Sequence, residues 1–131
     1  MSRKSKGINA EREIIHKFWG TGNWCALRVA GSGSMKYPSP DILASNKLRR
    51  LAIECKTCGD EKKYIPEEDI QQLKDFIAFF GGEPWLAIKF DRMDWYFLSL
   101  EDLEKSEKSY VISKELAKNK GLLFEELTKH P

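Results

Sequence analysis

The sequence is short of cysteine and has no long apolar run. Its three cysteines (Cys25, Cys55 and Cys58) are an odd number, which argues against a disulfide framework. No apolar run approaches the roughly 20 residues that a membrane helix needs. The amino terminus is charged and has no apolar segment behind it, so it does not resemble a secretory signal. These absences predict a cytoplasmic protein.

Cys55-x-x-Cys58 is a spacing that occurs in zinc sites and in redox pairs. A zinc site needs about four ligands, but no second cysteine pair follows, and His16 and His130 lie far away in the sequence. A redox pair normally stands at the start of a helix, whereas Cys55 lies within a strand pattern. We therefore predict that Cys55 is a core residue, with a zinc or redox protein as an alternative.

The length and composition are those of one globular domain. The 131 residues are 41% hydrophobic and 32% charged, enough for a single core. We take residues 1–131 as one domain, in which residues 1–8 form a flexible basic arm that can reach a phosphate backbone. An ordinary disordered terminus is the alternative for this arm.

The net charge of +2 conceals an uneven distribution. Residues 1–66 carry 13 Lys or Arg against 6 Asp or Glu, whereas residues 67–131 carry 9 against 14. A basic half suits a surface that meets phosphate groups, although basic stretches also serve as ordinary solvated surface.

The stretch with the clearest chemistry is Pro40-Asp41 followed by the strand-like residues 50–57. Side chains alternate along a strand, so Glu54 and Lys56 lie on one face, roughly 6.6–6.8 Å apart. A polar turn separates this strand from a second run that begins at Asp41. The resulting hairpin can bring Asp41 beside Glu54.

Two converging carboxylates form an oxygen-rich site for a hard cation such as Mg²⁺, for which Mn²⁺ can substitute. Lys56 beside them can orient an attacking water or balance charge on a phosphate under attack. An ordinary strand with solvated charges is the alternative. Asp41, Glu54 and Lys56 resemble the proline-aspartate, then glutamate-x-lysine pattern of the restriction-endonuclease-like nucleases. The literal Pro-Asp, the 12 residues between Asp41 and Glu54, and the apolar opposite face together favour this nuclease interpretation.

The remaining patterns predict an α/β fold with a mixed central sheet flanked by helices. Helices are predicted over residues 9–20, 66–82, 100–105, 114–120 and 122–129, and strands over residues 24–30, 41–45, 48–57, 84–90 and 95–100. Residues 110–113 are predicted to be extended. Residues 58–65 are predicted to form a loop that carries Lys62 and Lys63 over the basic face.

Two features have two interpretations each. Glu11 could lean over the strand pair as a third acid, or it could be a favourable charge near a helix start. The glycine- and serine-rich residues 31–40 could close on a substrate, or they could be a plain connector.

The second helix has more apolar surface than one buried face requires. One stripe is formed by Ile70, Leu73, Ile77 and Phe80. Phe76 and Phe79 widen it. Such a width indicates deep burial or a partner subunit, and we predict a homodimer contact at Phe76, Phe79 and Phe80.

Several motifs occur in a fixed order along the chain. They are Asn9-Ala-Glu-Arg-Glu, Arg28-Val-Ala-Gly-Ser-Gly-Ser, Pro40-Asp-Ile-Leu-Ala, Ile53-Glu-Cys-Lys, Phe79-Phe-Gly-Gly and Pro84-Trp-Leu-Ala-Ile-Lys-Phe. The set resembles the archaeal Holliday junction resolvases, within the restriction-endonuclease-like nucleases, over residues 3 to about 100. The resemblance implies a homodimeric, Mg²⁺-dependent endonuclease that cuts four-way DNA junctions by two symmetric nicks.

The resemblance also implies roles for individual residues. The implied catalytic residues are Glu11, Ser32, Asp41, Glu54 and Lys56. The implied metal ligands are Glu11, Asp41, Glu54 and the backbone carbonyl of Cys55. Arg12 and Arg28 match basic positions of the family. The full set of predicted DNA contacts is Arg3, Lys4, Lys6, Arg12, Arg28, Lys47, Arg49, Arg50, Lys62 and Lys63.

Two other functions share parts of this pattern. A restriction-type nicking nuclease would use the same fold, but 131 residues offer little extra surface for reading bases. An architectural protein that binds junctions or duplex DNA would use its acids structurally. Dependence on Mg²⁺ distinguishes the nucleases from the pure binder.

Overall fold

The computed structural model describes residues 3–29 and 37–129. In chain order its elements are α1 (Arg3–Gly20), β1 (Cys25–Arg28), β2 (Ile42–Ser45), β3 (Arg50–Cys58), β4 (Lys62–Pro66), α2 (Glu67–Phe80), β5 (Glu83–Phe90), β6 (Trp95–Ser99), β7 (Glu104–Ser106), β8 (Ser109–Ser113), α3 (Lys114–Lys120) and α4 (Phe124–Lys129). None of the described helices is long and apolar enough to span a membrane.

A five-stranded mixed sheet forms the centre of the molecule. Its strand order is β1-β2-β3-β5-β6, in which β3 and β5 are parallel and the other neighbours are antiparallel. The predicted mixed α/β fold is therefore confirmed. Helix α2 makes the connection between β3 and β5, since parallel neighbours need a long crossover rather than a tight turn.

Both faces of the sheet are covered. Helices α1 and α4 contribute Ile14, Phe18 and Phe124 to a core on one face. Helix α2 and strands β4 and β8 contribute to a second core on the other face. Consecutive residues of β3 are consequently all fully buried from Leu51 to Ile53, as expected for a strand with no solvent face.

Helix α1 begins earlier than the sequence pattern predicts. It starts at Arg3 rather than at Asn9, so the residues from position 3 to 8 are helical. The periodic apolar residues that anchor the helix, Ile14 and Phe18, lie in its second half and are fully buried.

The sequence patterns did not predict the second, three-stranded sheet, although its strand β8 contains residues 110–113, which were predicted to be extended. Its order is β4-β8-β7, and β4 takes up residues that were predicted to be a loop. The prediction of a loop over residues 58–65 was wrong because most of the segment is polar, and Ile65 is the single buried residue of β4.

The carboxyl-terminal third also differs in detail. The predicted helix over residues 100–105 is a single 3₁₀ turn at Leu100–Asp102, followed by strand β7. Helix α3 has its predicted bounds. Helix α4 begins at Phe124 rather than at residue 122, because both backbone groups of Leu122 pair with Phe97 of β6.

Helix α2 ends where the sequence predicts, at a pair of glycines. Gly81 and Gly82 have φ of +81° and +89°, a region that favours glycine. A Cβ on Gly82 would also stand 2.5 Å from the carbonyl oxygen of Arg50. This turn lets β5 start directly beside β3.

Arg49, a predicted DNA contact, is engaged within the fold. Its Nε and one terminal nitrogen donate to the two carboxylate oxygens of Glu83, each at 2.8 Å. Its other terminal nitrogen donates to the carbonyl of Leu127 at 2.6 Å. The guanidinium thus joins the end of the β2–β3 turn to β5 and α4, which gives Arg49 a structural role.

Replacing Arg49 is expected to destabilise the fold in a pH-dependent way. Arg49→Met should lower the free energy of unfolding by about 1–3 kcal/mol at pH 7, because a bidentate charged hydrogen bond is lost. The hydrogen bonds from Arg49 lower the pKa of Glu83 below its ordinary 4.5. The stabilisation by the Arg49–Glu83 pair should therefore be complete above pH 4.5, the ordinary pKa of glutamate, and be lost as the pH falls through the lowered pKa of Glu83. Urea titrations at several pH values measure this, with Lys47→Met at the exposed hairpin tip as the control.

Candidate active site

The β2–β3 hairpin places Asp41 beside Glu54, as its length predicts. Ile42 pairs with Ile53, and the Asp41 amide donates to the Ile53 carbonyl at 3.0 Å. The Asp41 carboxylate in turn accepts a hydrogen bond from the Cys55 amide at 2.9 Å. The acid is therefore held by the backbone of β3 as well as by its own strand.

Lys56 lies on the same face of β3 as Glu54. Its Nζ is 3.6 Å from Oε2 of Glu54 and 2.9 Å from Oδ2 of Asp69, which belongs to α2. Asp69 was not among the predicted site residues; it is one of three acids in the first turn of α2. The sequence contained only a weak indication that Asp69 belongs to the site. It immediately precedes Ile70, a buried residue of the apolar stripe by which α2 packs on the sheet.

Glu11 reaches the site from α1 and pairs with Arg28. The Arg28 Nε lies 3.3 Å from Oε1 of Glu11. Within the described part of the chain, this Nε is buried and has no hydrogen-bond partner. Strand alternation turns Arg28 to the same side as the buried Ala26, toward α1.

The carboxylates of the site strongly influence one another. Burial raises the pKa of Glu54 to about 8, assisted by the negative charges of Asp41 and Asp69 and by a hydrogen bond with Asp41. Burial and Asp41 also raise the pKa of Glu11, while Arg28 lowers it. Ionising all of these carboxyl groups at once is therefore energetically unfavourable in the absence of a cation.

The Lys56 ammonium is compensated by its neighbours. Burial lowers the pKa of Lys56, but the charge of Glu54 and the contact with Asp69 outweigh burial and raise it overall. Lys56 is therefore a permanent positive charge at neutral pH, suited to orienting or neutralising an anion rather than to accepting a proton.

The two cysteines near the site are separated by the sheet. The prediction that Cys55 packs in the core is confirmed, since it lies against the first core, and Cys58 lies in the second. Burial raises the pKa of the Cys55 thiol, and the nearby Asp41 and Glu11 raise it further. Because Cys55 and Cys58 lie against different cores on opposite faces of the sheet, they are not placed to share a zinc ion or to form a redox pair, which disfavours those alternatives.

The predicted DNA-contact residues do not form one cluster. Arg12 is exposed on α1 beside Glu11, and Arg28 is within the site. Lys47 and Arg50 stand at the hairpin tip, and Arg50 is four residues of β3, or about 13 Å, from Glu54. Lys62 and Lys63 lie beyond the opposite end of β3, where Cys58 contacts the carbonyl of Lys62.

Several predicted residues cannot be placed. Ser32 and the side chains of Arg3, Lys4 and Lys6 lie outside the described residues.

The site suits a hard divalent cation in its chemistry. Within the described ranges, no group of three or more His, Cys, Asp or Glu is arranged to hold a metal ion. Mg²⁺, however, usually takes only one or two carboxylates and keeps several waters. Asp41 and Glu54 supply such a pair, and the raised pKa of Glu54 reflects a charge imbalance that a cation would relieve.

A mixed sheet that brings Pro-Asp, Glu-x-Lys and a helix-borne glutamate together is typical of the restriction-endonuclease-like fold. The sequence matches the family described as archaeal Holliday junction resolvase (Hjc) over residues 2–131. The chain belongs to this family.

Individual relatives agree with this assignment. The crossover junction endodeoxyribonuclease Hjc of Archaeoglobus fulgidus is 37% identical over 130 residues, covering 94% of this chain and 95% of the relative. The crossover junction endodeoxyribonuclease Hje of Saccharolobus solfataricus is 38% identical over 101 residues, covering 75% and 74% of the two chains. A solved structure of A. fulgidus Hjc superposes with a TM-score of 0.84 at 34% identity, covering 91% of this chain and 95% of that one.

Proposed function

We propose that this protein is a crossover junction endodeoxyribonuclease that resolves four-way DNA junctions by paired symmetric nicks. The observation that carries the proposal is the convergence of Asp41, Glu54 and Lys56 at one point of the sheet. Relatives that match most of the chain are named for this activity. We further propose that the enzyme acts in DNA recombination and repair in the cytoplasm.

We propose Mg²⁺ as the cofactor, with Mn²⁺ as a substitute. Asp41 and Glu54 would hold it, assisted by Glu11 and by the backbone carbonyl of Cys55. When bound, such a cation neutralises charge that develops on a phosphate and makes water more acidic. The donors are all hard oxygens, which favours Mg²⁺ over softer metals.

The protein side chains have distinct tasks in the hydrolysis. Lys56 directs its ammonium toward the phosphate, where it orients the attacking water and balances negative charge. Arg28 holds Glu11 in the site through the ion pair between its Nε and the Glu11 carboxylate. Ser32 is proposed to assist from the segment between β1 and β2.

Affinity for DNA would come mainly from phosphate contacts that read no sequence. We propose three groups for this role. They are the amino-terminal Arg3, Lys4, Lys6 and Arg12, the hairpin-tip Lys47 and Arg50, and the β4 pair Lys62 and Lys63. Their positions beyond both ends of β3 suit a substrate that extends past the site in two directions.

We propose that the enzyme is a homodimer joined through the exposed end of α2, because two symmetric nicks require two sites. The Phe79 side chain is 96% exposed and that of Phe80 is 39% exposed. Phe76 stacks on Phe80 with ring centroids 4.9 Å apart. Phe76 and Phe79 also line a groove of about 680 Å³ with Tyr37 and Pro38. A contiguous apolar surface of this kind is typical of a subunit contact.

The experiment that tests the proposal compares a labelled four-way junction with a linear duplex of the same sequence. Paired nicks on the junction alone, abolished by a chelator, are the expected result. Equal cutting of the duplex would instead indicate a restriction-type or nicking nuclease. Tight junction binding without cutting under Mg²⁺ or Mn²⁺ would indicate an architectural protein and contradict the proposal.

A further inference from the structure

Lys56 makes its shortest polar contact outside the strands that carry the acids. Its Nζ is 2.9 Å from Asp69 on α2, compared with 3.6 Å from Glu54 on its own strand. The Asp69 side chain is 30% exposed and that of Lys56 is 21% exposed, so the pair is partly shielded from water. The lysine is therefore held between two elements that approach from different layers.

A lysine needs such a second contact if its ammonium is to stay in one place. Its four-carbon chain loses up to about 2 kcal/mol of rotamer entropy when it is fixed. The separation of 3.6 Å to Glu54 is an ion pair without a hydrogen bond that would fix direction. Asp69 supplies that hydrogen bond.

The position of Asp69 is itself rigid. It lies in the first turn of α2, directly before Ile70, which is fully buried in the second core. Leu73, one turn further along, is also buried. The carboxylate therefore approaches Lys56 from a helix that is anchored on the sheet.

We propose that Asp69 is a positioning residue that holds the Lys56 ammonium in its productive place beside Asp41 and Glu54. This inference rests on the proposed function, because the task of Lys56 is defined by phosphodiester hydrolysis. Asp69 acts through the lysine and does not itself contact the DNA.

A favourable charge at the start of α2 is the competing explanation for this acid. Glu68 provides a matched control, because it occupies the same helical turn and is exposed. Glu68→Gln removes the same charge from the helix start without affecting Lys56. It should leave both cleavage and Lys56 unchanged.

The first readout is single-turnover cleavage of the junction. Asp69→Asn should lower the cleavage rate constant about ten- to a hundredfold, the usual range for residues that orient a functional ligand, and leave the junction Kd unchanged. Asp69→Glu, which restores the charge one methylene further out, should regain much of the rate. In a Lys56→Met background the same Asp69→Asn change should have an effect of less than about twofold.

The second readout does not depend on activity. NMR of protein with ¹³C-labelled lysine should show two separate ε-proton resonances for the fixed Lys56 of the wild type. In Asp69→Asn they should merge into one, as for a freely rotating chain. Glu68→Gln should retain the two resonances.

Several outcomes would overturn the inference. They are an unchanged rate in Asp69→Asn, an equal loss in the Lys56→Met background, no recovery with Asp69→Glu, or unchanged Lys56 resonances in Asp69→Asn. If the wild type cuts no junction at all, the proposed function fails, and the NMR spectra still decide whether Asp69 holds Lys56.

Discussion

Glu54→Gln is expected to abolish junction cleavage while the protein stays folded and binds the junction. Glutamine keeps the shape of the side chain but removes the negative charge that we propose for cation binding. Loss of that charge stabilisation, several kcal/mol in the transition state, corresponds to a rate at least about a thousandfold lower. Cleavage time courses at saturating enzyme measure this, and gel-shift titrations should show equal or tighter binding.

The stability of the same variant gives a second check. Glu54 is a partly buried acid close to Asp41, so its charge opposes folding when no cation is bound. Glu54→Gln should therefore be at least as stable as the wild type toward urea. Glu101→Gln, which changes an exposed acid far along the chain, serves as the control for both assays. Substantial cleavage by Glu54→Gln would exclude Glu54 from the catalytic centre.

Phe79→Glu is expected to separate the subunits and eliminate paired nicking. Phe79 is almost wholly exposed, so the change costs the isolated chain little, whereas a buried charge would oppose association. Central aromatic residues of interfaces commonly contribute 2 kcal/mol or more, so the dimer Kd should rise by about thirtyfold or more. Sedimentation velocity over a concentration series measures the shift.

Trp19→Glu is the matched control for the subunit contact. Trp19 is an aromatic residue with a side chain that is 59% exposed, but it lies on α1, which covers the opposite face of the sheet. This variant should remain dimeric and nick the junction in pairs. A Phe79→Glu protein that still sediments as a dimer would contradict the proposed contact. A wild-type protein that is monomeric at every concentration would contradict the dimer itself.

The sequence predicted best what lies close together along the chain. Asp41, Glu54 and Lys56 belong to one hairpin, where strand alternation and turn length decide which side chains meet. The class of fold followed in the same way from the order of periodic segments. The crossover helix α2 was bounded correctly because proline before it and glycine after it are strong local signals.

Contacts between distant elements could not be predicted in this way. Asp69 meets Lys56 only because α2 packs back onto the sheet, and an acid in a first helical turn already has a local explanation. Arg49 looked like a surface cation, yet Glu83 and Leu127 engage it from later in the chain. Strand β4 could not be predicted from apolar periodicity because only Ile65 of its five residues is buried.

The candidate site draws on four separate elements, with Glu11 on α1, Asp41 before β2, Glu54 and Lys56 on β3, and Asp69 on α2. A chain still emerging from the ribosome possesses the hairpin acids before the helix that completes the lysine's surroundings. Partly unfolded molecules likewise lose the constellation as soon as α1 or α2 detaches. We therefore expect hydrolysis of DNA to begin only after both helices have packed onto the sheet.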